Sequence, residues 1–539
     1  MLLDVRPDHL RMVRAILQKH VPQYDVWAFG SRAKWTAKDY SDLDLCVVSD
    51  KPLSFSLLGA LAEDFSDSDL PWKVDVVDWA TTSASFRKII ERDKVVVQEA
   101  GRGGDMAGEW PTKSIDELKA KSRAAIAIGP FGSRMKSDCY VPSGVPVIRG
   151  TNISDTRELI GEMVCITPEK AEEVQSSIIV ADDLFFPHRG SIGLVGIVPL
   201  KGAVRYVQSS SMMKLTCDRS QVEPLYLFYF FRSAQGRQEL LKNASTVGTP
   251  GIGQPLSSLK AIRVPLPPLP EQKAIAHILG TLDDKIELNR RMNATLEAMA
   301  RALFQSWFVD FDPVRAKLDG REPAGLDAAT AALFPAHFQE SPLGHIPQGW
   351  RAASLGNVLE IFDSKRIPLS GREREKRQGS YPYHGAASVM DYIDDFLFDG
   401  IYVLMGEDGS VINVNGTPVL QYVWGKFWVN NHAHVLRGTN GICTEHLLLH
   451  LKNCNIAAFV TGAVQLKLNQ GNMNRIEFIL PPPEIGKAFA TTIDPLFARI
   501  RANTEESRNL ATLRDALLPR LMSGKLRVPN GQLAGEEFV

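Results

Sequence analysis

The sequence predicts an α/β and α+β multidomain protein, in which a small α/β domain precedes two α/β modules that are each followed by a long helix. Three observations predict it. The rear of the chain contains an internal repeat, a long helical pattern closes each copy, and residues 1–98 have no counterpart in the repeat. With 539 residues, the chain has enough material for several cores of ordinary domain size.

The predicted boundaries follow the repeat and the local composition. The glycine-rich stretch "QEAGRGGDMAGEW", from Gln98 to Trp110, reads as a junction between the front of the chain and the repeat. The predicted units are a front domain (1–98), a linker (99–109), a first module (110–265), a first long helix (266–312), a connecting segment (313–345), a second module (346–480), a second long helix (481–525) and a tail (526–539).

The front domain is predicted to mix helices and strands. The segment "DHLRMVRAILQKH" has the pattern of a helix, "DVWAFG" and "DLDLCVV" predict strands on either side of a Gly-Ser turn, and "WKVDVVDW" predicts a later strand. Asp42 and Asp44 are two positions apart, so on a strand both carboxylates face one side. Asp75 lies on the later strand, whereas Asp78, three residues on, is expected to face away and to be structural.

Three carboxylates on two neighbouring strands are the ligands that a two-metal phosphoryl-transfer site needs. We therefore predict Asp42, Asp44 and Asp75 as catalytic and metal-binding residues, with Mg²⁺ and a nucleoside triphosphate as cofactors. A Gly-Ser turn lets backbone N–H groups approach a phosphate, and a nearby arginine supplies positive charge. The predicted nucleotide-binding residues are Gly30, Ser31 and Arg32.

The stretch "WAFGSRAKWTAKDYSDLDL", together with the later "VDVVD", resembles the minimal nucleotidyltransferase domain of the DNA polymerase β superfamily over about residues 8–98. The resemblance implies metal-dependent nucleotidyl transfer. One departure concerns Lys34 and Trp35, since many relatives carry a small residue shortly after the arginine. The alternative is a degenerate fold that is retained as a binding module.

Each copy of the repeat places a proline cluster before a long helical pattern, in "IRVPLPPLPEQKAIAHILGTLDDKIELN" and "IEFILPPPEIGKAFATTIDPLFARIRAN". Polar residues interrupt both patterns at equivalent positions, Asn289 and Asn293 in the first helix and Asn503 and Ser507 in the second. Buried polar residues fix register and partner, so the helices are predicted to pack on one another. Two core helices in separate domains, the alternative, would not explain the matched interruptions. The other predicted seam residues are Ile275, Leu279, Leu282, Ile286, Leu296, Ala300 and Leu303, and Phe489, Ile493, Leu496, Ile500, Leu510, Arg514 and Leu517.

Each module carries short β-like runs, glycine and proline turns, and basic residues grouped in loops. Such loops can supply phosphate contacts and arginine donors to base edges, although a solvated charged face is the alternative for any single residue. Tyr381, Tyr383 and His384 are expected to pack in the core. If this region binds DNA, as the resemblance given next implies, the predicted DNA-binding residues are Lys121, Arg123, Arg134, Lys136, Arg149 and Arg189 in the first module, and Lys365, Arg366, Arg372, Arg374, Lys376 and Arg377 in the second.

The order of module, helix, module and helix resembles the specificity subunit of type I restriction-modification systems. The most specific pieces are "PLPPLPEQKAIAHILGTLDDKIELN", "LFQSWFVDFDPVRAKLDGREPAGLDAATAALFP" and "GPFGSRMKSDCYVPSGVPVIRGTNI". The resemblance implies two target-recognition domains and an antiparallel coiled-coil spacer that together read a two-part site on double-stranded DNA. It also implies two methyltransferase subunits and a restriction subunit as partners, and no cofactor for this region. About 30 residues of helix would span roughly 45 Å, more than one turn of B-DNA at about 34 Å.

Several other classes of protein are disfavoured. No apolar run of membrane-spanning length and no secretory signal is present, so no membrane partner and a cytoplasmic location are expected. The six cysteines are scattered without metal-ligand spacing, which predicts reduced structural thiols. The repeat region contains no P-loop, no dinucleotide-binding GxGxxG and no methyltransferase tetrapeptide, and "GTPGIGQP" reads as a turn with no helix signal after it.

The sequence therefore predicts a DNA-specificity subunit with a fused nucleotidyltransferase-like domain. Whether the chain is itself an enzyme stays open at this point. The alternative is a metal-dependent nucleotidyltransferase that acts on a protein or a nucleic acid and uses the rear of the chain as its DNA-targeting device. A third possibility is that Met106 starts a shorter specificity polypeptide.

Overall fold

The computed structural model describes residues 3–34, 36–38, 41–98, 110–131, 134–245, 248–462 and 465–528. The chain divides into two compact units, Met1–Pro111 (the front unit) and Thr112–Val539 (the rear unit). None of the helices in the described ranges is long and apolar enough to cross a membrane. The predicted linker (99–109), Trp35, Met106 and the tail beyond residue 528 lie outside the described residues.

The front unit is built on one four-stranded sheet. Its strands are β1 (Asp25–Phe29), β2 (Leu43–Val48), β3 (Val74–Asp78) and β4 (Val95–Gln98), and its helices are α1 (Pro7–His20), α2 (Gly30–Ala33), α3 (Phe55–Ser66) and α4 (Ala84–Asp93). The sheet order is β3-β2-β1-β4, in which β1 is antiparallel to both neighbours and β3 runs parallel to β2 at one edge. Leu43 and Leu45 of β2 are buried in the core with Val13 and Leu17 of α1. The Asp44 carboxylate between these leucines therefore faces the opposite side of the sheet.

The first module of the rear unit contains two small sheets. Its strands are β5 (Thr112–Ser114), β6 (Ile126–Ile128), β7 (Tyr140–Val141), β8 (Val145–Ile148), β9 (Cys165–Ile166), β10 (Ile178–Ile179), β11 (Leu184–Pro187), β12 (Gly196–Ile197), β13 (Tyr206–Gln208), β14 (Met212–Leu215), β15 (Ala244–Ser245), β16 (Gly251–Ile252) and β17 (Arg263–Pro265). Its helices are α5 (Ile115–Leu118), α6 (Pro168–Glu173), α7 (Pro224–Arg232), α8 (Ala234–Leu241) and α9 (Pro255–Ala261).

The sheets of this module have the orders β10-β13-β8-β9-β7 and β12-β11-β14-β6, and its first and last strands, β5 and β17, pair with each other. One expectation was wrong: the "GTPGIGQP" segment is followed directly by a helix, α9. This helix starts at Pro255, because proline presets the φ angle that a first helical residue needs.

Two long helices and a connecting segment flank the second module. The elements before it are α10 (Leu269–Phe308), α11 (Asp312–Leu318), α12 (Ala328–Leu333), β18 (Phe338–Ser341) and β19 (Gly344–Pro347). The second module consists of β20 (Arg351–Ser354), β21 (Leu359–Ile361), α13 (Gly371–Lys376), β22 (Gln378–His384), β23 (Val389–Ile393), β24 (Phe398–Asp399), β25 (Tyr402–Gly406), β26 (Leu420–Val423), β27 (Lys426–Val429), β28 (Ala433–Gly438), α14 (Thr444–Asn453), α15 (Gln470–Asn474) and β29 (Glu477–Leu480), and α16 (Pro483–Met522) follows it. Its sheets have the orders β21-β28-β25-β26 and β23-β22-β27-β24, and β20 pairs with β29.

The two long helices pack on each other, which confirms the predicted pairing. Asn289 donates to Ser507 Oγ over 3.3 Å, and the Asn503 amide donates to Asn293 Oδ1 over 2.9 Å. Residue numbers rise along one helix as they fall along the other, so the helices are antiparallel. The polar interruptions of the two patterns therefore meet each other across the seam.

The helix pair, here called the spacer, separates the two modules. Each helix has 40 residues and is about 60 Å long, longer than the roughly 45 Å expected from about 30 residues. The start of α10 follows the first module directly, whereas its end packs Phe304 and Phe308 against His446 of the second module. The two modules therefore pack along opposite halves of the spacer, and both reach its middle, where Glu158 of the first module pairs with Arg291 and Trp424 of the second module donates to Glu505.

Burial in the spacer departs from the predicted seam at several levels, one of which is at Leu282. Leu282 is half-buried, whereas the neighbouring Asp283 is 1% exposed. Asp283 accepts hydrogen bonds from Arg514 of α16 at 2.7 Å and from the Tyr229 hydroxyl of α7 at 2.7 Å. The reason is that α10 packs against the first module here as well as against α16, so the buried face is wider than a coiled-coil seam.

A histidine of the second module, packed against one end of the spacer, should make the protein acid-sensitive. His446 is 1% exposed among Phe308, Phe478 and Phe489, and burial lowers its pKa to about 3, with a smaller effect from His450. The unfolded chain takes up this proton below about pH 6.5, whereas the folded chain does not, so stability falls as the pH falls.

We expect the intact protein to lose about 2 kcal/mol of stability between pH 7 and pH 5 through this one group. The His446→Phe variant should lack that loss, as measured by urea unfolding at both pH values. The His277→Gln variant, at an exposed position of α10, should respond to acid like the intact protein. An unchanged acid response of His446→Phe would show that His446 is protonated in the folded state.

Candidate nucleotidyl-transfer site and nucleic-acid interface

Two of the three aspartates predicted for the front unit lie at paired positions of its sheet, and the third directly precedes one of these strands. Asp44 on β2 is directly opposite Asp75 on the parallel strand β3, and Asp42 lies one residue before β2 begins. Side chains at paired positions of neighbouring strands point to the same face and lie about 5 Å apart. The arrangement thus clusters three hard oxygen donors, of the type that Mg²⁺ prefers.

Gly30 brings the Gly-Ser turn against this cluster. It has φ +77°, and a Cβ atom at this position would lie 2.2 Å from the Asp44 carboxylate. Only glycine can therefore stand here without moving Asp44. The start of α2 consequently lies beside the carboxylates, although the role of Gly30 and Ser31 at a phosphate stays a prediction.

The charges of the cluster repel one another. Burial, followed by the charges of Asp75 and Asp42, raises the pKa of Asp44 above its usual value. A bound cation would relieve this repulsion, so the donor set fits a divalent ion. Lys73, which the sequence interpretation missed although it is close to Asp75 in the chain, forms an ion pair of 2.5 Å with Asp75.

Arg32, predicted as a nucleotide ligand, is engaged in the fold of the front unit. Its side chain is 6% exposed, donates to the backbone carbonyls of Ser41 and Asp4 over 2.8 and 3.1 Å, and lies over the Trp72 ring. These bonds hold the segment that leads into Asp42. Its contact with a phosphate stays a prediction, and the structure indicates a positioning role.

Asp78 is structural, as predicted. It is 5% exposed, accepts from the Ser49 hydroxyl at 2.5 Å, and accepts from the backbone N–H groups of Leu53 and Ala80. These three bonds satisfy its carboxylate in the interior.

In the first module, four loops converge at one end of the two sheets, here called the loop end. The Gly129 N–H donates to the Met212 carbonyl, and the Ser209 N–H donates to the Ile148 carbonyl, both over 2.9 Å. The His188 N–H donates to the Ser211 carbonyl over 2.9 Å. Loops after β6, β8 and β11 and the loop before β14 are therefore adjacent.

The loop end contains only some of the predicted basic residues of this module. The two at the other end, Lys121 and Arg123, precede β6 beside Thr216, where β14 ends. Sequence reasoning missed His188 and the serines of the loop before β14, because nothing in the local pattern links them to the arginines. Four predicted basic residues lie in the converging loops or directly after them: Arg134, Lys136, Arg149 and Arg189. Arg149 is half-buried and lies over the Tyr140 ring, and the other three are exposed.

The second module has an equivalent loop end. Here the Phe362 N–H donates to the Val435 carbonyl over 2.8 Å, and the Glu407 N–H donates to the His432 carbonyl over 2.9 Å. Lys365 is exposed in the loop after β21. The next residue, Arg366, pairs with Glu407 at 2.6 Å, which leaves less free positive charge than the sequence suggests.

A buried polar network lies beneath this loop end. Asp363 Oδ2 and His434 Nδ1 are 2.6 Å apart, Gln470 donates to the same carboxylate oxygen over 2.6 Å, and His434 Nε2 lies 2.8 Å from the Leu468 carbonyl. Burial alone would lower the pKa of His434, but the Asp363 carboxylate outweighs it and raises that pKa. Asp363, Glu407 and His434 are close enough for a metal group, yet these partners already satisfy them, so we assign the network to folding.

The other predicted basic residues of the second module lie around α13. Arg374 pairs with Asp391 at 3.1 Å, and Arg377 pairs with Asp394 at 2.9 Å. Arg377 precedes β22 and is therefore at the end of that strand away from the loop end. Arg372 and Lys376 are exposed on α13. Tyr383 is buried, as expected, and His384 is 7% exposed and hydrogen-bonded to Gln421.

The fold and the sites define a protein with a nucleotidyltransferase-type front unit and a rear unit of two modules held apart by paired helices. Two family models match: "Nucleotidyltransferase domain" over residues 10–102, and "Type I restriction modification DNA specificity domain" over residues 132–298 and 347–511. The chain belongs to the type I restriction-modification DNA specificity family, and its front unit belongs to the nucleotidyltransferase family.

Individual relatives match the two units separately. A probable protein adenylyltransferase, MntA, of Haemophilus influenzae is 57% identical over 97 residues, which cover 18% of this chain and 85% of the relative. The HindI specificity subunit of the same organism is 26% identical over 386 residues, covering 60% of this chain and 81% of the relative. A crystal structure of an S subunit from M. genitalium covers 76% of this chain and 96% of its own, with 16% identity and a TM-score of 0.47.

Proposed function

We propose that the two loop ends of the rear unit read the two halves of a split DNA sequence. The observation that carries the proposal is the antiparallel spacer, along which one of two equivalent modules packs on each half of a rod about 60 Å long. The centres of the two halves are about 30 Å apart along the rod, close to one turn of B-DNA at about 34 Å, so an unread gap would separate the half-sites. Exposed arginines in converging loops are suited to base edges and phosphates.

The spacer also supports a proposal about assembly. Two helices of equal length that run antiparallel between two equivalent modules create two equivalent surfaces, which favours two copies of one partner. We infer that two methyltransferase subunits bind there, and that a restriction subunit joins through them. Methylation and cleavage would then belong to these partners.

The loop-end proposal predicts that basic residues at the loop end contribute to DNA binding, whereas those at the other end of the same sheet do not. We expect Arg134→Ala/Arg189→Ala to weaken specific DNA binding about tenfold or more. The plot of the logarithm of the binding constant against the logarithm of the salt concentration should become less steep by about two. Lys121→Ala/Arg123→Ala, at the other end of the same sheet, is the matched control and should change neither by more than about twofold. Fluorescence anisotropy of the intact methyltransferase complex on its DNA site, titrated over salt, measures both. Equal losses from both pairs would contradict the loop end as the reading surface.

For the front unit we infer metal-dependent nucleotidyl transfer to a protein hydroxyl, with a nucleoside triphosphate as donor. The pairing of Asp44 with Asp75 across parallel strands, with Asp42 beside them, supports it. Mg²⁺ bound by these carboxylates would supply the positive charge that such a transfer needs. The protein adenylyltransferase relative favours a protein acceptor and ATP as donor. Incorporation of label from α-labelled ATP, compared with the other three nucleotides, tests this function.

A further inference from the structure

The edge strand β3 of the front unit lines a groove that ends at the candidate site. The groove, of about 590 Å³, lies between α3 and β3. Leu58 and Phe65 line it from α3, and the consecutive residues 72–76 line it from the other side. Three of these residues, Val74–Val76, are consecutive on β3, and since successive side chains of a strand point to opposite faces, the edge of the strand itself borders the groove.

The hydrogen bonds of β3 leave half of its backbone groups facing this groove. β2 is its neighbour in the sheet, and Leu43 N–H donates to the Lys73 carbonyl over 2.9 Å. In a parallel pair, alternate residues bond to the same neighbour, so Lys73 and Asp75 face β2, while the N–H and C=O groups of Val74 and Val76 face outward. Among the residues the structure describes, no backbone group bonds to these outward groups.

The position of β3 separates the two substrates of the proposed reaction. The Gly30 turn lies on the β1 side of Asp44, and β3 lies on the other side. A further strand paired to the outer edge of β3 would lie about 4.8 Å away. Its residue opposite Asp75 would point to the face that holds the three carboxylates. A hydroxyl on that residue would reach the site from the side opposite the Gly-Ser turn.

The rim of the groove is acidic. The loop between α3 and β3 carries exposed Asp67 and Asp69, and its neighbours Ser66 and Leu70 line the groove. Lys73, which lines the groove, is already paired with Asp75. A positively charged segment therefore complements this rim.

We propose that the acceptor is an extended, basic polypeptide segment that adds as a strand to the outer edge of β3 and presents a hydroxyl side chain beside Asp75. The proposal rests on the nucleotidyl transfer proposed above and names the acceptor class. Main-chain hydrogen bonds give such strand addition its affinity, and side-chain pockets give its specificity. In the reaction, the hydroxyl oxygen forms a bond to the α-phosphorus of ATP. The bond from that phosphorus to the bridging oxygen breaks, pyrophosphate leaves with the electron pair, and the hydroxyl proton passes to water.

The test uses the full chain and the peptide Lys-Val-Lys-Val-Tyr-Val-Lys-Val-Lys. Proline is tolerated on an edge strand but lacks the N–H that an added strand would use, so Val76→Pro blocks pairing at the edge. Val76→Thr keeps the N–H and the branched side chain and is the matched control. Binding of fluorescein-labelled peptide in EDTA gives a readout that is independent of transfer. The labelling ratio is the amount of label on the peptide divided by the amount of pyrophosphate that the same protein releases when water is the acceptor. A general loss of active protein lowers both amounts and therefore leaves this ratio unchanged.

We expect Val76→Pro to weaken peptide binding and to lower the labelling ratio about tenfold, and Val76→Thr to change both by less than about twofold. Asp67→Lys/Asp69→Lys should weaken binding of the basic peptide as well. Equal losses in Val76→Pro and Val76→Thr would overturn strand addition. So would pyrophosphate release by the intact protein with no label on the peptide, an outcome that leaves nucleotidyl transfer standing. Absence of both label and pyrophosphate would instead overturn the transfer function and this inference with it.

Discussion

Asp44→Asn should abolish nucleotidyl transfer by the front unit while leaving DNA recognition intact. Asp44 is the central carboxylate of the cluster, between Asp42 and Asp75. Removing one charged ligand of a divalent ion costs several kcal/mol of transition-state stabilisation, and about 4 kcal/mol corresponds to about a thousandfold in rate. Transfer of label from α-labelled ATP to the peptide or to a protein partner measures the loss.

Two comparisons separate this effect from unfolding. The pKa of Asp44 is raised, so its ionised form is disfavoured in the folded protein, and the neutral asparagine side chain of the variant should leave the melting temperature unchanged or higher. Asp50→Asn, at an exposed position just beyond β2, should transfer label within about twofold of the intact protein. Because the front unit is a separate compact unit, Asp44→Asn should also bind DNA normally. Retained transfer in Asp44→Asn would exclude Asp44 as a required ligand.

Asp283→Ala should be the most destabilising single change in the spacer, by about 3–5 kcal/mol. The Asp283 side chain is 1% exposed, pairs with Arg514 at 2.7 Å, and lies 3.8 Å from the Arg232 guanidinium. It also accepts the Tyr229 hydroxyl. Its removal leaves two largely buried guanidinium groups without their shared carboxylate, and an uncompensated buried charge is far costlier than a lost surface pair.

The next residue provides the control. Asp284 pairs with Arg157, but its side chain is 71% exposed, so Asp284→Ala should cost less than about 1 kcal/mol. Equilibrium urea unfolding of the full chain, followed by its helical signal, compares the two variants. Similar midpoints for Asp283→Ala and Asp284→Ala would mean that the buried cluster contributes little to the packing of α10 on α16 and on the first module.

The sequence predicted much of the front site because its signals are local. Asp42 and Asp44 are two residues apart in a segment predicted as a strand, and a second apolar segment carries Asp75, so alternation alone predicts their common face. It could not predict that Arg32 would donate to the carbonyls of Ser41 and Asp4. Every residue has a backbone carbonyl, so the sequence does not show which of them accepts a side-chain hydrogen bond. It also could not predict that β3 would be an edge strand, because strand order depends on which segments pair.

The sequence by itself determined the fold class, the repeat, the two long helices and the matched polar positions at which they pair. Those features follow from periodicity and self-similarity, which a chain carries along its length. The tertiary structure alone decided which basic residues share a loop end, and which are neutralised by distant acids, as Arg366 is by Glu407 and Arg377 by Asp394. It also decided that Asp283 is buried where Leu282 was expected, because α10 packs on a module as well as on α16. The physical reason is that burial and ion pairing depend on segments far apart in the chain, which meet only after the sheets and helices have packed.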